Sequence, residues 1–121
     1  MLLTQTTTPE DVKALNRAEL PQLCDEIRHA ILESSAAVGG HVAPNLGVVE
    51  LTVALHRVFN SPIDKIVFDV SHQTYAHKAL TGRAYTYIDP ERYGEASGFA
   101  NPDESKHDLF AMGHTSTSVS L

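Results

Sequence analysis

From Glu19 to about Val38 the apolar residues Leu20, Leu23, Ile27, Ala30 and Ile31 recur at steps of three and four, lining one face of a helix over several turns. Gly39-Gly40 ends that helix. Upstream, Thr8-Pro9-Glu10-Asp11 sets a capping hydroxyl, a first-turn proline and two acids before Val12, which opens a short helix. Downstream, His41 to Asn45 forms a loop whose Asn45 is placed to cap a helix from roughly Gly47 to Phe59. In that helix Val48, Leu51, Leu55, Val58 and Phe59 are expected to face inward, before Asn60-Ser61-Pro62 turns the chain.

The period then changes. Lys65-Ile66-Val67-Phe68-Asp69-Val70 is a β-branched and aromatic run after a turn, which predicts a buried parallel strand. Ser71-His72-Gln73 lies just past its carboxyl end, where ligands dock in open α/β sheets. A short helix is expected from Thr74 to Leu80, ended by Thr81-Gly82. Ala84 to Ser105 is polar and interrupted by Asp89-Pro90, Gly94, Gly98 and Asn101-Pro102, which predicts a mobile loop or a lid. Leu109-Phe110-Ala111-Met112 is a second apolar run, and Gly113-His114 with the Thr-Ser series behind it is placed to open another helix. So short a final helix buries little, and the polypeptide is expected to continue past Leu121. These elements make the expected fold class α/β, with one domain's worth of chain in 121 residues.

Composition narrows the partners. Nine Lys and Arg stand against fifteen Asp and Glu, a net charge of -6 without any basic cluster, so nucleic acid is not an expected partner. The longest apolar runs are far too short to cross a bilayer, and no membrane role is expected. A single cysteine, Cys24, cannot form an internal disulfide, and the N-terminus lacks a secretory leader pattern, so a cytoplasmic setting is expected. A phosphorylated ligand stays compatible with an acidic chain, because backbone N–H groups at a helix start hold anions without net positive charge.

Seven histidines are many for this length. His29 and His56 fall inside helices and read as solvated or satisfied imidazoles; His77 and His107 read as structural or exposed. His41, His72 and His114 each sit at a break between elements, behind Gly39-Gly40, after a strand and after Gly113, where functional side chains concentrate. Asp69, His72 and His77 have a spacing that invites a zinc reading, but residues five apart on a helix point about 140° apart, unlike an i,i+4 ligand pair. Gly113 with Thr115, Ser116 and Thr117 suits an anion cradle, although on the residues alone an ordinary Ser/Thr cap is the preferred reading.

Three strings extend the reading: Gly40-His41-Val42-Ala43-Pro44-Asn45-Leu46-Gly47, then Asp69-Val70-Ser71-His72-Gln73-Thr74-Tyr75-Ala76-His77-Lys78 with Leu80-Thr81-Gly82-Arg83, and Gly113-His114-Thr115-Ser116-Thr117-Ser118. In this order they resemble the N-terminal region of the 1-deoxy-D-xylulose-5-phosphate synthases, thiamine-diphosphate enzymes of the transketolase-like superfamily. The resemblance implies that residues 1–121 are the N-terminal, helix-rich portion of a diphosphate-binding parallel-sheet domain, ending before the family's Gly-Asp-Gly metal motif and inactive alone. It implies His72, Gly113, His114 and Thr115 as cofactor-binding residues, His41 as the catalytic residue that moves protons at the reacting centre, and no metal ligand. Lys78 and Arg83 are read as holding the fold. The implied cofactors are thiamine diphosphate and Mg²⁺. The implied substrates are pyruvate and glyceraldehyde 3-phosphate, with isoprenoid, thiamine and pyridoxal precursors as the destination. The partner is a second copy in a homodimer or the remainder of the enzyme. Ser71 stands where the family more often has Gly, and Ala84 to Ala96 lacks its usual basic stretch. A transketolase-like enzyme with another ketose donor and a non-catalytic binding module are the alternatives.

Overall fold

The computed structural model describes residues 1–6, 8–40, 42–67 and 73–108. The capping signals near the N-terminus act where the residues place them. After α1 (Leu2–Gln5), Thr8 caps α2 (Pro9–Ala14): its hydroxyl accepts from the Asp11 N–H at 3.3 Å, and the Asp11 carboxylate accepts from the Thr8 N–H at 3.2 Å. A 3₁₀ turn at Arg17–Glu19 leads into α3 (Leu20–Val38), which buries Leu23, Cys24, Ile27, Ala30 and Ile31 on one stripe. It stops where Gly39 takes φ 85° and donates to the Ser35 carbonyl at 2.8 Å.

Helix α3 is the pillar of the molecule. α1, α4 (Val42–Leu46), α5 (Val49–Val58) and α7 (Tyr85–Ile88) all pack against it. Its apolar stripe meets Leu3, Val12, Val49, Val53, Ala76, Leu80 and Tyr87 in one core, and each Leu, Ile or Val fully buried there is worth roughly 1.5–3 kcal/mol. α6 (Tyr75–Lys78) crosses this core and runs into a π turn at Ala79–Arg83, where Gly82 takes φ 95° and halts the chain at the expected place.

Three expectations are corrected. In α5 the buried ladder is Val49, Thr52, Val53 and His56, while Leu51 and Val58 are 59% and 70% exposed and Phe59 is also on the surface. Apolar spacing alone left the rotation of this helix open, and reciprocal caps decide it. Arg57 donates from Nη1 to the carbonyls of Val12, Lys13 and Leu15 at the end of α2, and Lys13 Nζ donates to the carbonyls of His56 and Phe59 at the end of α5. Second, there is no strand among the described residues. Lys65, Ile66 and Val67 are irregular, and a strand exists only when a neighbour accepts its ladder bonds; residues 68–70 lie outside the described set. Third, Ala84 to Ser105 is no featureless loop: it holds α7 and a 3₁₀ turn at Pro90–Arg92 and is tied down by buried cations described below.

Candidate functional site

Gly40 takes φ 150°, a conformation side-chain-bearing residues rarely adopt, and a Cβ there would stand 3.0 Å from Tyr75 Oη, 3.1 Å from Ser35 Oγ and 3.4 Å from Tyr75 Cε2. The loop expected from His41 to Asn45 is helical from Val42 on, and within α4 Asn45 is fully buried, its Oδ1 accepting the Tyr75 backbone N–H at 2.8 Å. Asn45 therefore does not cap α5, whose N-cap is Val48; the side chain instead satisfies the first free N–H of α6. The Tyr75 ring packs on Tyr87 with centroids 5.4 Å apart. His41, His72, Gly113, His114 and Thr115 all lie outside the described residues.

One turn further along, α6 enters a buried charged cluster. Lys78 is fully buried, and its ammonium donates to the carbonyls of Ser97 and Phe99 at 2.6 and 2.7 Å and to the Glu104 carboxylate at 2.9 Å, so all three of its protons are used. Arg83 holds Asp108 with two bonds of 2.8 Å and reaches Glu104 at 3.0 Å. Glu104 and Asp108 in turn accept the N–H groups of Ser97 at 2.6 Å and Asn101 at 2.9 Å. Two cations face two anions, so the cluster is neutral as a whole. Burial pulls the Lys78 ammonium below its ordinary value against the opposing pull of Glu104. Burial alone would raise the Asp108 carboxyl, but hydrogen bonds from Arg83 and His77 hold it well below the usual carboxylate range.

A histidine pair completes the region. His56 Nε2 lies 2.9 Å from His77 Nδ1 with the rings stacked at 5.0 Å, and His77 Nε2 lies 3.0 Å from the His107 carbonyl. A carbonyl only accepts, so His77 donates from Nε2; in its neutral form Nδ1 then accepts, and His56 donates from Nε2. That leaves His56 Nδ1 as a buried lone pair with no hydrogen-bond partner. Burial first, and then His77, push the His56 pKa down to about 3. With both His77 ring nitrogens engaged, the zinc spacing loses the member it had in view, Asp69 and His72 being outside the described residues. Among the described residues no group of three His, Cys, Asp or Glu side chains could hold a metal ion.

The described flanks of the three strings thus meet on one short helix. Gly40 and Asn45 touch Tyr75 at its start, the Gln73-Thr74 segment enters it, and His107 and Asp108, which lead toward Gly113, bond to His77 and Arg83 beyond it. Tyr75 and Asp108 were not singled out from the sequence, while Asn45 was read there as a helix cap and His56 as a solvated or satisfied imidazole. For Tyr75 and Asn45 the signal was present, since both stand inside the three strings. For His56 and Asp108 no local signal distinguishes a buried partner from a solvated one.

A family model described as 1-deoxy-D-xylulose-5-phosphate synthase matches residues 3–121. Relatives of that same name include one from Symbiobacterium thermophilum, 58% identical over 120 residues covering 99% of this chain and 18% of the relative. Others come from Pelotomaculum thermopropionicum, 50% identical over 119 residues covering 98% of this chain and 19% of the relative, and from Chlamydia abortus, 51% identical over 121 residues covering 99% and 19%. The chain therefore spans about a fifth of the length of the curated relatives it matches.

Proposed function

The chain belongs to the 1-deoxy-D-xylulose-5-phosphate synthase family, and from that premise we propose that it is the diphosphate-cradling N-terminal portion of a thiamine-diphosphate-dependent transferase domain. The reaction is the condensation of pyruvate with glyceraldehyde 3-phosphate to 1-deoxy-D-xylulose 5-phosphate and carbon dioxide, in the cytoplasm, as a homodimer or with the remainder of the enzyme. The single observation behind this reading is the match from residue 3 to residue 121, which includes all three histidine-bearing strings.

The described residues fit such a guest in kind. Thr74 Oγ1 is buried without a hydrogen-bond partner two positions after His72, a polar atom left over for a polar ligand, and directly before His41 only glycine fits between Tyr75 and Ser35. His72, Gly113, His114 and Thr115 would hold the cofactor, the last three through backbone N–H groups and hydroxyls that suit a diphosphate. Bound, the cofactor would supply the nucleophilic carbon and the electron sink for decarboxylation. His41 would give and take the proton at the substrate oxygen, work suited to an imidazole that titrates near neutrality. No ligand for the accompanying Mg²⁺ is assigned within this chain.

A hybrid tests the reading. Residues 3–121 exchanged for the matching segment of the Symbiobacterium thermophilum relative should form 1-deoxy-D-xylulose 5-phosphate, with His72→Ala weakening thiamine diphosphate binding in calorimetry and His41→Ala lowering kcat. A folded hybrid that binds the cofactor but makes no product would contradict it. The chain by itself, given cofactor, Mg²⁺ and both substrates, should make none.

A further inference from the structure

Two contacts with unrelated origins fall on the same residue. The Tyr75 ring occupies the space that a side chain at position 40 would need, and the Tyr75 backbone N–H is spent on Asn45. Gly40 directly precedes His41, and Asn45 lies in α4, which begins directly after it at Val42. We infer that Tyr75 is the positioning residue for His41: it packs beside Gly40 on one side of that position and holds Asn45 on the other.

Tyr75 is suited to this because it is itself held rigidly. It is 5% exposed, its ring packs on the buried Tyr87, and the helix it begins is anchored within one turn by His77 to His56 and by Lys78 to three acceptors. The grip is also specific. A Cβ at position 40 would stand 3.0 and 3.4 Å from Oη and Cε2 of Tyr75, so only glycine fits beside the ring, while the Asn45 bond of 2.8 Å ties α4 to the same residue. A group that transfers protons works only within hydrogen-bond reach of its target, and a misplacement of about 1 Å can cost on the order of a hundredfold in rate.

The inference rests on the proton-transfer role proposed for His41, and the test separates the two. In the hybrid synthase, Tyr75→Phe keeps the ring and the backbone bond but removes Oη, and is expected to lower kcat about tenfold with KM for glyceraldehyde 3-phosphate nearly unchanged. Gly40→Ala should do the same through the opposite partner, and Gly40→Ala combined with Tyr75→Phe should lose less than the two separate losses multiplied, because the second change removes the closest clash. In a His41→Ala background Tyr75→Phe should have no further effect. A readout independent of turnover comes from the chain itself: the His41 imidazole resonance, assigned by its loss in His41→Ala, should move in position and titration midpoint in both single variants, with thermal melts showing that each is folded. If His41→Ala leaves kcat intact, the proposed role of His41 fails. If His41→Ala abolishes turnover while Tyr75→Phe and Gly40→Ala, both folded, leave kcat and the His41 resonance unchanged, the positioning role of Tyr75 is overturned. That role is overturned as well if Tyr75→Phe lowers kcat equally with and without His41.

Discussion

Lys78 shows how much a single residue settles. Its four-carbon stem runs through the core and its ammonium ends where three oxygens converge, so one side chain ties helix α6 to segments 19, 21 and 26 residues away. An uncharged residue of the same length would leave the carbonyls of Ser97 and Phe99 without this donor and Glu104 with only Arg83 and the Ser97 N–H. Removing one partner of a buried ion pair usually costs about 3–5 kcal/mol, because the remaining charge is not rehydrated. Lys78→Met is therefore expected to lower unfolding free energy by that order in urea denaturation, although it preserves volume. A loss under about 1 kcal/mol would show that the cluster contributes geometry without stability.

At the scale of elements, α5 separates what periodicity reads from what packing selects. Leu51, Leu55 and Val58 within it, with Val48 and Phe59 at its ends, qualify for the inward face by spacing, yet Val49, Thr52, Val53 and His56 take it. The rotation follows from Arg57 and Lys13, whose reciprocal bonds to opposite helix ends require Arg57 to face α2 and thereby turn Val58 to solvent. Two substitutions on this one helix should diverge. Val53→Ala, at 3% exposure, is expected to cost about 1.5–3 kcal/mol, whereas Val58→Ser, at 70%, should fall within about 0.5 kcal/mol of neutral. Thermal melts of equal depression would restore the inward face first expected. The helices flagged by local chemistry needed no such arbitration: the capping box at Thr8, the glycine stop at Gly39 and the break at Gly82 stand where the residues put them.

For the molecule as a whole, the polar interior links stability to acid. His56 keeps its neutral form in the fold, with a pKa of about 3 against an ordinary 6.5, and burial and His77 lower His107 as well. The unfolded chain takes up those protons first, so this contribution is fully present above about pH 6.5 and is lost as pH falls from there toward 3. Asp108, held below its ordinary 3.8, adds stability that is likewise lost on the acid side, at the lower end of that range. The midpoint of thermal unfolding should fall steadily from pH 6.5 to 4, and His56→Gln, which cannot titrate there, should make that slope shallower. An unchanged slope would remove His56 from the account.

By itself the sequence determined the local events and the family. Caps, glycine stops and a long amphipathic stripe act within a few residues of themselves, and three ordered strings identify the 1-deoxy-D-xylulose-5-phosphate synthases without any fold in hand. Tertiary structure decided which side of α5 is buried, that Asn45 serves Tyr75 rather than a helix cap, and that His56, His77, Lys78, Arg83, Glu104 and Asp108 form the polar interior. The physical reason is distance along the chain: those bonds join residues 21 to 30 positions apart. A buried polar group is stable only when its partner arrives from another element, which no local pattern encodes.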